Sequence, residues 1–143
     1  MSAQDNLKLW ERHLHGEFIA KDVDIALSTM VEDASVMHMP TRSGGKGKVE
    51  LRPYYRDMFI PSIPPGGEQI LTNRILTDDA IIEESRSRIV HSKQMDWFLP
   101  GIPPTNKTIE VEMVIFVEFR DGLMAAERLY WDQAAVLRQI GKL

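Results

Sequence analysis

Apolar residues follow a helical period in the first part of the chain. Near the N-terminus they recur at spacings of three and four, at Leu7, Trp10, Leu14 and Phe18. This spacing predicts an amphipathic helix from about residue 6 to residue 20. The chain is therefore expected to begin with a helix that buries one face.

Two further helices are predicted before residue 60. Asp22 is placed to cap a short second helix, whose inner side carries Ile25, Ala26, Leu27 and Met30. A β-rich run from Ser35 to Met39 follows, and then a loop over residues 41–47. The third helix is predicted over Lys48 to Phe59, with Pro53 in its first turns.

From residue 69 onward the period changes to that of strands. Four strands are predicted, over Gln69–Thr77, Ala80–Phe98, Lys107–Arg120 and Leu123–Gln133. Asp78-Asp79 and Asp121-Gly122 are hairpin signals between them. Two proline-rich segments, residues 60–67 and 99–106, are alike in composition. We interpret them as stiff loops and not as traces of a duplicated domain.

Helices followed by long antiparallel strands predict one α+β domain over residues 1–143. The expected architecture is a cone-shaped α+β barrel, in which three N-terminal helices pack on a strongly curved, mostly antiparallel sheet. One face of strand 109–119 is continuously apolar, with Ile109, Val111, Met113, Ile115, Val117 and Phe119. The other face keeps Val114 and Phe116 among charged residues, which predicts a homodimer through the outer side of the sheet.

Composition narrows the possible functions. The 143 residues are 43% hydrophobic and 27% charged, with a net charge of −4 and no cysteine. Disulfides and thiol chemistry are thereby excluded, and the lack of a basic cluster argues against nucleic acid as a partner. The N-terminal residues lack the apolar core of a signal peptide, and no apolar run approaches a membrane span. We therefore expect a cytoplasmic protein without a membrane partner.

The four histidines do not predict a metal site. His13 and His15 stand two residues apart on a helix, so they point to different faces and cannot share a metal ion. No carboxylates cluster with the histidines along the sequence. Neither a metal nor a cofactor is expected.

Asp132 is the most informative candidate for chemistry. It directly follows Tyr130 and Trp131, where a long apolar strand ends and a short amphipathic tail begins. A carboxylate in an apolar pocket has a raised pKa and suits proton transfer. At a strand-to-helix junction the same residue could instead cap the tail. The sequence leaves both interpretations open.

Three segments occur in a recognisable order. The first is Gly45-x-Gly47 before the third helix, which carries Tyr54-Tyr55. The second runs from Gly101 to Lys107 and is similar to a Gly-x-Pro-Pro-Thr-Gly-Arg loop, with Asn106 in place of glycine. The third is Phe119-Arg120-Asp121-Gly122, followed by Trp131-Asp132 and Leu137-x-Gln139-Ile140-Gly141. Together they span almost the whole chain and resemble the nuclear transport factor 2-like superfamily, more narrowly its SnoaL-like polyketide cyclase branch.

The resemblance implies a chemistry. In SnoaL-like cyclases an Asp near the end of the last long strand removes a proton α to a carbonyl, and Asp132 matches that position. Such a reaction needs a base, a hydrogen-bond donor for the enolate and a dry pocket, but no cofactor. The candidate catalytic residues are Asp132, His91 and His38. The candidate substrate-binding residues are Tyr54, Tyr55, Trp97, Met113, Tyr130 and Trp131.

Both candidate histidines have structural alternatives. His91 lies inside a predicted strand, where it either points into the cone or sits on the surface. His38, between two methionines, is either a pocket residue or a satisfied core histidine. Asp96, on the opposite side of the His91 strand, is expected to stabilise the proline-rich loop.

The aromatic candidates come in adjacent pairs. Tyr54 and Tyr55 are neighbours on a helix, so only one of them is expected to face inward. Tyr130 and Trp131 alternate sides of a strand, so only one of them flanks the pocket. The sequence does not fix which.

Three functions remain open. The first is an enzyme that isomerises, cyclises or dehydrates an apolar carbonyl compound, with Asp132 as the base. The second is an epoxide hydrolase, which in this superfamily uses an Asp-Arg-Asp arrangement; Arg128 shares a strand face with Asp132, and Glu118 is the nearest acid. The third is a non-catalytic ligand-binding or protein-docking module. A buried Asp132 facing an open cavity favours an enzyme, and an interior filled by methionine and aromatic side chains favours the module.

Overall fold

A computed structural model describes residues 2–143 as a helical layer against a six-stranded sheet. The helices are α1 (Ala3–Phe18), α2 (Val23–Ser28), α3 (Lys48–Pro53) and α4 (Gln133–Gln139). The strands are β1 (Met30–His38), β2 (Ser43–Lys46), β3 (Glu68–Leu76), β4 (Ala80–Val90), β5 (Thr108–Arg120) and β6 (Leu123–Trp131). No helix in this part of the chain is long and apolar enough to cross a membrane.

The sheet is mixed and open. Its strand order is β2-β1-β6-β5-β4-β3, and all neighbours are antiparallel except β1 and β6. The α+β class and the mostly antiparallel sheet are therefore confirmed. Because β2 and β3 are free edges, the sheet does not close into a complete barrel.

One face of the sheet, called the inner face below, carries the core. On β5 five residues of the predicted face are buried, namely Ile109, Val111, Met113, Ile115 and Val117. The sixth, Phe119, is half-buried and follows an irregularity in the pairing of β5 with β6. Helix α1 contacts β4 and β6 and buries Trp10 completely. Each fully buried side chain of this size contributes roughly 1.5–3 kcal/mol, so this face holds the helices in place.

The first two helices begin at capping residues. Ser2 Oγ accepts a hydrogen bond from the Asp5 backbone N–H, and the Asp5 carboxylate accepts one from the Ser2 N–H, at 3.1 and 3.3 Å. Because of this capping box, α1 begins at Ala3 and not at about residue 6, where the apolar period predicts it. The apolar period detects only the first buried residue, and the cap precedes that residue. Asp22 caps α2 as predicted, accepting from the N–H groups of Asp24 and Ile25.

The third helix is less regular than predicted. It begins at Lys48 and is α-helical only to Pro53, after which the chain forms a π-helical turn, Tyr54–Phe59, and a 3₁₀ turn, Ile60–Ser62. Proline lacks the N–H group of a regular α-helical bond, and the hydrogen-bond pattern changes directly after it.

The second predicted long strand is too long. β4 ends at Val90, and the chain turns at Met95, whose carbonyl accepts hydrogen bonds from the N–H groups of Phe98 and Leu99. The Asp96 carboxylate accepts one from the Gly101 N–H at 3.0 Å, which confirms its role in the proline-rich loop. Such local side-chain bonds compete with strand pairing. The predicted loop over residues 41–47, in turn, contains β2, which pairs with β1.

Two turns have the backbone conformation that their residues predict. Asp121 and Gly122 both have positive φ angles, of 54° and 75°, as a tight hairpin requires. Asn106 has a φ of 57°. This explains the glycine at that position of the loop pattern, because the site needs a left-handed backbone, which Asn tolerates better than most residues.

Candidate functional site

Ionisable side chains cluster inside the fold, between α1 and the inner face of the sheet. The cluster consists of His13, Glu17, Tyr55 and Glu127, none of them more than 5% exposed. His13 Nε2 lies 3.4 Å from Glu17 Oε2 and 3.6 Å from Glu127 Oε1. The Tyr55 hydroxyl lies 3.3 Å from the same nitrogen. We call these four residues the His13 cluster.

Both ring nitrogens of His13 face acceptors. Nδ1 lies 2.8 Å from Thr29 Oγ1 and 3.2 Å from the carbonyl oxygen of Ala26. The Thr29 hydroxyl donates its proton to that same carbonyl at 2.6 Å, so it can only accept from Nδ1. Burial alone would lower the pKa of His13, but Glu17, and after it Glu127, raise the pKa to about 9. His13 is therefore an imidazolium at neutral pH.

Glu127 is the acid of the cluster whose pKa is raised. Burial raises its pKa to about 8, Glu17 and Glu83 add to this, and His13 opposes it. The imidazolium and the Glu17 carboxylate already form a neutral pair, so Glu127 remains protonated at neutral pH. Within residues 2–143, its Oε1 has no hydrogen-bond partner.

A further buried acid, Glu83 on β4, is fully paired. It accepts hydrogen bonds from Trp10 Nε1 at 3.0 Å and from Arg74 Nε at 2.7 Å. Arg74 reaches inward from the edge strand β3, and its side chain is 29% exposed. Both Glu83 oxygens therefore accept a hydrogen bond, whereas Glu127 Oε1 accepts none from the described residues.

Regular secondary structure places the cluster. His13 and Glu17 are one helical turn apart and share the buried face of α1 with Trp10. Glu127 and Leu129 are two residues apart on β6, so both point to the inner face. From the sequence alone, His13, Glu17 and Glu127 were not singled out as candidate site residues. The available signal was their polar character at positions with the spacing of a buried stripe.

Aromatic side chains surround His38 at the end of β1. Its ring centroid lies 4.9 Å from that of Trp97, 5.8 Å from Tyr54, and 5.9 Å from both Phe59 and Trp131. Burial lowers the pKa of His38 to about 3, so the ring is neutral. Nε2 is hydrogen-bonded to the Tyr54 hydroxyl, whereas Nδ1 finds no partner among the described residues.

Tyr54 connects this aromatic group to an open cleft. The cleft has a volume of about 920 Å³, within the range of small-molecule sites, and Tyr54, Ser62, Arg42 and Lys93 are among the residues that line it. On its other side, the Tyr54 ring lies 4.9 Å from that of Tyr55 in the His13 cluster. Both tyrosines are buried, so the prediction that only one faces inward is wrong: the core surrounds this helix end on two sides.

The remaining aromatic candidates divide between the two faces of the sheet. Trp131 joins the aromatic group, and Met113 is its cross-strand partner on the inner face. Tyr130 is 41% exposed on the outer face, because neighbouring residues of a strand point to opposite faces and Trp131 points inward. The indole N–H of Trp97 donates to Ser62 Oγ at 2.8 Å, which ties the aromatic group to the cleft wall.

His91 holds a loop. It follows the last residue of β4 and is fully buried, and its Nδ1 accepts a hydrogen bond from the Thr105 N–H at 3.2 Å. Its backbone N–H and carbonyl bond to Lys107 and Asn106. Burial lowers its pKa. Neither predicted placement, inside the cone or on a surface strand, is correct, because the chain leaves the strand at Val90.

Of the two interpretations of Asp132, the structure does not show the apolar pocket. The residue is exposed, and its Oδ1 accepts a hydrogen bond from the Ala135 N–H at 3.1 Å as the N-cap of α4. It borders a groove of about 440 Å³ together with Tyr130 and Glu112. Because β6 ends at Trp131 and the chain turns directly into α4, the carboxylate faces the helix N-terminus and solvent. The capping interpretation is the one that the structure supports.

The arrangement expected of an epoxide hydrolase is not assembled around Arg128. Its Nη1 lies 2.8 Å from Glu118 Oε2, and its guanidinium lies over the ring of Phe116 at 4.8 Å. Both partners belong to the outer face, because Phe116 and Glu118 alternate with the buried residues of β5. Asp132 is occupied as a helix cap.

The interior is closely filled. Met95, Trp97 and Met113 are 2%, 7% and 9% exposed, whereas Phe116 lies on the outer face and takes no part. Over the described range 2–143, no group of three or more His, Asp or Glu side chains is arranged to hold a metal ion, and this includes the His13 cluster. By the two criteria set out from the sequence, the exposed Asp132 disfavours chemistry by that residue, and the filled interior favours the non-catalytic module.

Comparison with known proteins identifies the fold. No protein-family model matches the sequence, and no curated protein sequence matches it significantly. A candidate SnoaL-like polyketide cyclase from Jannaschia sp. CCS1 superposes with a TM-score of 0.78 at 18% identity, over 98% of this chain and 94% of that one. A nuclear transport factor 2-like protein of unknown function from Burkholderia pseudomallei gives 0.71 at 14% identity, over 95% and 97%.

A third solved structure with this fold is named as a different kind of enzyme. A candidate ketosteroid isomerase from Kribbella flavida gives a TM-score of 0.60 at 12% identity, over 90% of this chain and 78% of that one. At such identities the likeness shows the fold alone. The chain has the nuclear transport factor 2-like fold.

Proposed function

We propose that the protein is a small-molecule enzyme that moves protons on an apolar, carbonyl-bearing substrate, with Glu127 as the proton-transfer group. The observation that carries this proposal is the buried Glu127 carboxyl beside the His13–Glu17 pair, whose Oε1 lacks a hydrogen-bond partner among residues 2–143. This assignment replaces Asp132, which caps a helix.

The His13 cluster is difficult to explain by stability. Replacing buried ionic groups by apolar residues of similar volume often leaves a protein equally stable, or more stable by about 1–4 kcal/mol. A carboxyl group kept protonated above its ordinary pKa lowers stability further. Groups held in this way occur preferentially at functional sites.

Glu127 has the properties of a general acid–base catalyst. With a pKa of about 8, it can both accept and return a proton near neutral pH. In its ionised form it takes the proton from the carbon α to the carbonyl, and the electron pair moves to the carbonyl oxygen. It then returns the proton to another carbon, which shifts the double bond, or to a departing hydroxyl, which eliminates water. The positive charge of His13 stabilises the developing enolate.

This assignment fixes the shape of the pH profile. Activity rises as Glu127 ionises around its pKa of about 8, and it falls as His13 loses its proton around its pKa of about 9. A bell-shaped dependence of kcat/KM with a maximum between these values is expected.

The surroundings support an apolar substrate. The aromatic group around His38 contacts Tyr55 of the His13 cluster through Tyr54 and Phe59, and Tyr54 also lines the cleft. Two proteins of this fold are named as a polyketide cyclase and a ketosteroid isomerase, which supports a small organic molecule as substrate. Isomerisation, cyclisation and dehydration all begin with the same proton abstraction.

The direct test is exchange of α-protons in D₂O. Purified protein is incubated with a panel of enolisable apolar ketones and lactones, 2-tetralone among them, and exchange is followed by ¹H NMR. We expect Glu127→Gln to slow exchange by roughly 10²–10⁴-fold and Asp132→Asn to leave it unchanged. Wild-type protein that exchanges no member of the panel, or a Glu127→Gln variant as fast as wild type, would overturn the proposal.

A second candidate function is non-catalytic binding of a small ligand in the cleft. It is favoured by the burial of Met95, Trp97 and Met113, which fill the interior of the fold. Ligand binding without proton exchange by wild-type protein identifies this alternative.

Self-association remains a proposal. Val114 and Phe116 are half-buried on the outer face of β5, next to the exposed Tyr130 of β6, and a second copy is the partner proposed for this surface. Sedimentation equilibrium of wild type and Val114→Lys tests it: a dimer that the substitution dissociates supports the surface. A cytoplasmic location likewise remains a prediction.

A further inference from the structure

Two cationic side chains line the open cleft without a carboxylate partner in the described chain. Most arginines of residues 2–143 form ion pairs, but Arg42 of the cleft forms none. Lys93 forms none either, and its Nζ donates to the Pro61 carbonyl at 3.1 Å. An ammonium group has three N–H donors and a guanidinium has five, so most of these donors remain available to a ligand.

The acids that line the same cleft already have partners. Asp57 accepts two hydrogen bonds from the Arg56 guanidinium, at 2.9 and 2.8 Å, and the two side chains form a neutral pair. Asp96 Oδ1 accepts two hydrogen bonds within its own loop, and Glu50 Oε1 accepts one from a backbone N–H. Among the described residues of the cleft, the cations therefore have more unused hydrogen-bonding capacity than the acids.

The backbone of Arg42 adopts a conformation that arginine rarely takes. Its φ angle is 59°, in the left-handed region that favours glycine and asparagine. Its N–H donates to the His38 carbonyl at 2.7 Å in the turn between β1 and β2. Residues other than glycine that are held in this region occur preferentially at active sites and ligand clamps. The position of Arg42 in the cleft gives this conformation a functional reason.

Hydrogen bonds join the two segments that carry the cations. Thr41 Oγ1 and Ser43 Oγ, on either side of Arg42, donate to the Trp97 carbonyl at 2.7 and 3.0 Å. These bonds fasten the β1–β2 turn to the segment after β4, which carries Lys93. Both segments are therefore in place before a ligand arrives, which lowers the entropic cost of binding.

The cleft also offers apolar surface. Met58 and three prolines, Pro53, Pro61 and Pro104, are among its lining residues, and Met58 is 37% exposed. A small inorganic anion would leave this surface in contact with water. A ligand with an apolar body covers it and gains the free energy of that burial.

We infer that the cleft binds a small organic acid with an apolar body, whose carboxylate is held by Arg42 and Lys93. A guanidinium matches the geometry of a carboxylate, and charge-assisted hydrogen bonds are stronger than neutral ones. Because the whole chain has a net charge of −4, the attraction for an anion arises in the cleft and not from the overall charge. The inference goes beyond the proposed function, since it does not require proton transfer by Glu127.

The test compares two probes with the same apolar body. 2-Naphthoate is charged at pH 7, whereas 2-naphthamide is neutral. Dissociation constants are measured by NMR titration at low ionic strength, because salt screens exposed charges. The variants are Arg42→Asn, Lys93→Gln and the double substitution. Arg88→Gln is the matched control, because it removes the same charge from an exposed residue of β4 outside the cleft.

Wild type and Arg88→Gln are expected to bind 2-naphthoate roughly tenfold more tightly than 2-naphthamide. Each single cleft variant should lose part of this preference, and the double variant should bind both probes alike. Asparagine tolerates the left-handed backbone, so Arg42→Asn is expected to fold. An unchanged affinity for 2-naphthamide shows for each variant that the cleft is intact.

Several results would overturn the inference. They are a wild type that binds neither probe or binds both alike, a double variant that keeps the full preference, and an Arg88→Gln variant that loses it. Inorganic phosphate that displaces 2-naphthoate at equal concentration would also contradict a site for organic acids. Failure of the proposed function is recognised separately, because 2-naphthoate has no enolisable C–H: carboxylate-selective binding without α-proton exchange of any ketone contradicts catalysis alone.

Discussion

Glu127→Gln is expected to stabilise the protein, and to do so increasingly as the pH rises. The amide keeps the size of the side chain but cannot ionise. In the folded protein the pKa of Glu127 is about 8, against an ordinary value of 4.5. Between these values the unfolded chain releases a proton that the folded chain retains, so wild-type stability falls as the pH rises through this window. The stability of Glu127→Gln does not fall in this way, because its amide releases no proton.

The size of the effect follows from the two pKa values. Their difference, 8 − 4.5 = 3.5, corresponds to about 5 kcal/mol once the pH exceeds 8, to about 3 kcal/mol at pH 7, and to nothing below pH 4.5. Burying the amide offsets part of this gain. We therefore expect an advantage on the order of 2–4 kcal/mol at pH 8.5.

Urea unfolding at pH 5, 7 and 8.5 measures the effect, and Glu17→Gln supplies the matched control. The same chemical change at Glu17 removes the carboxylate that pairs with the charged His13, which costs about 3–5 kcal/mol. His13 has a raised pKa, so its own contribution is complete below pH 6.5 and is lost as the pH rises through about 9. The reasoning fails if the effect of Glu127→Gln is the same at pH 5 and pH 8.5, or if Glu17→Gln also stabilises.

Substitutions at three positions test other parts of the structure by the same urea assay. Asp132→Ala should destabilise by about 1 kcal/mol through loss of the α4 cap, whereas Asp132→Asn should be near neutral, and equal effects would contradict the capping role. Asn106→Ala should destabilise by about 1 kcal/mol because of its positive φ, and Asn106→Gly should not; a tolerated alanine would exclude a left-handed conformation. Trp10→Phe should cost about 1–3 kcal/mol, because Glu83 Oε1 loses its indole donor, and a neutral change would show that the bond is unimportant.

Much of the fold was predictable because burial imposes a period on regular elements. The helix α1, the apolar face of β5 and the Asp121-Gly122 hairpin all follow from local spacing, and the structure confirms these elements. The buried face of α1 differs from the predicted stripe, because it also carries polar residues, whereas Phe18 is 40% exposed. The predicted strand runs beyond Val90, where β4 ends, because apolar residues continue there. They are buried in turns and not in a strand, and periodicity does not distinguish the two.

The candidate site was harder to predict because its residues are distant in sequence and atypical for their positions. His13, Glu17 and Glu127 occupy core positions that are normally apolar, and only the packing of α1 on β6 makes them a cluster. Asp132 drew attention because it stands beside aromatic residues. Whether a carboxylate next to a strand end faces a pocket or a helix N-terminus depends on the direction of the following turn, which the sequence pattern leaves open.

The protonation state of Glu127 is the central physical claim, and it can be observed without knowing the substrate. Protein with ¹³C-labelled glutamate side chains is titrated by NMR, and the Glu127 carboxyl signal is assigned by its absence in Glu127→Gln. A midpoint near pH 8 is expected, with the Glu127 signal still that of a protonated acid at pH 6. A midpoint near the ordinary value of 4.5 would show an ionised, unexceptional carboxylate and would contradict the assignment of Glu127 as the proton-transfer group.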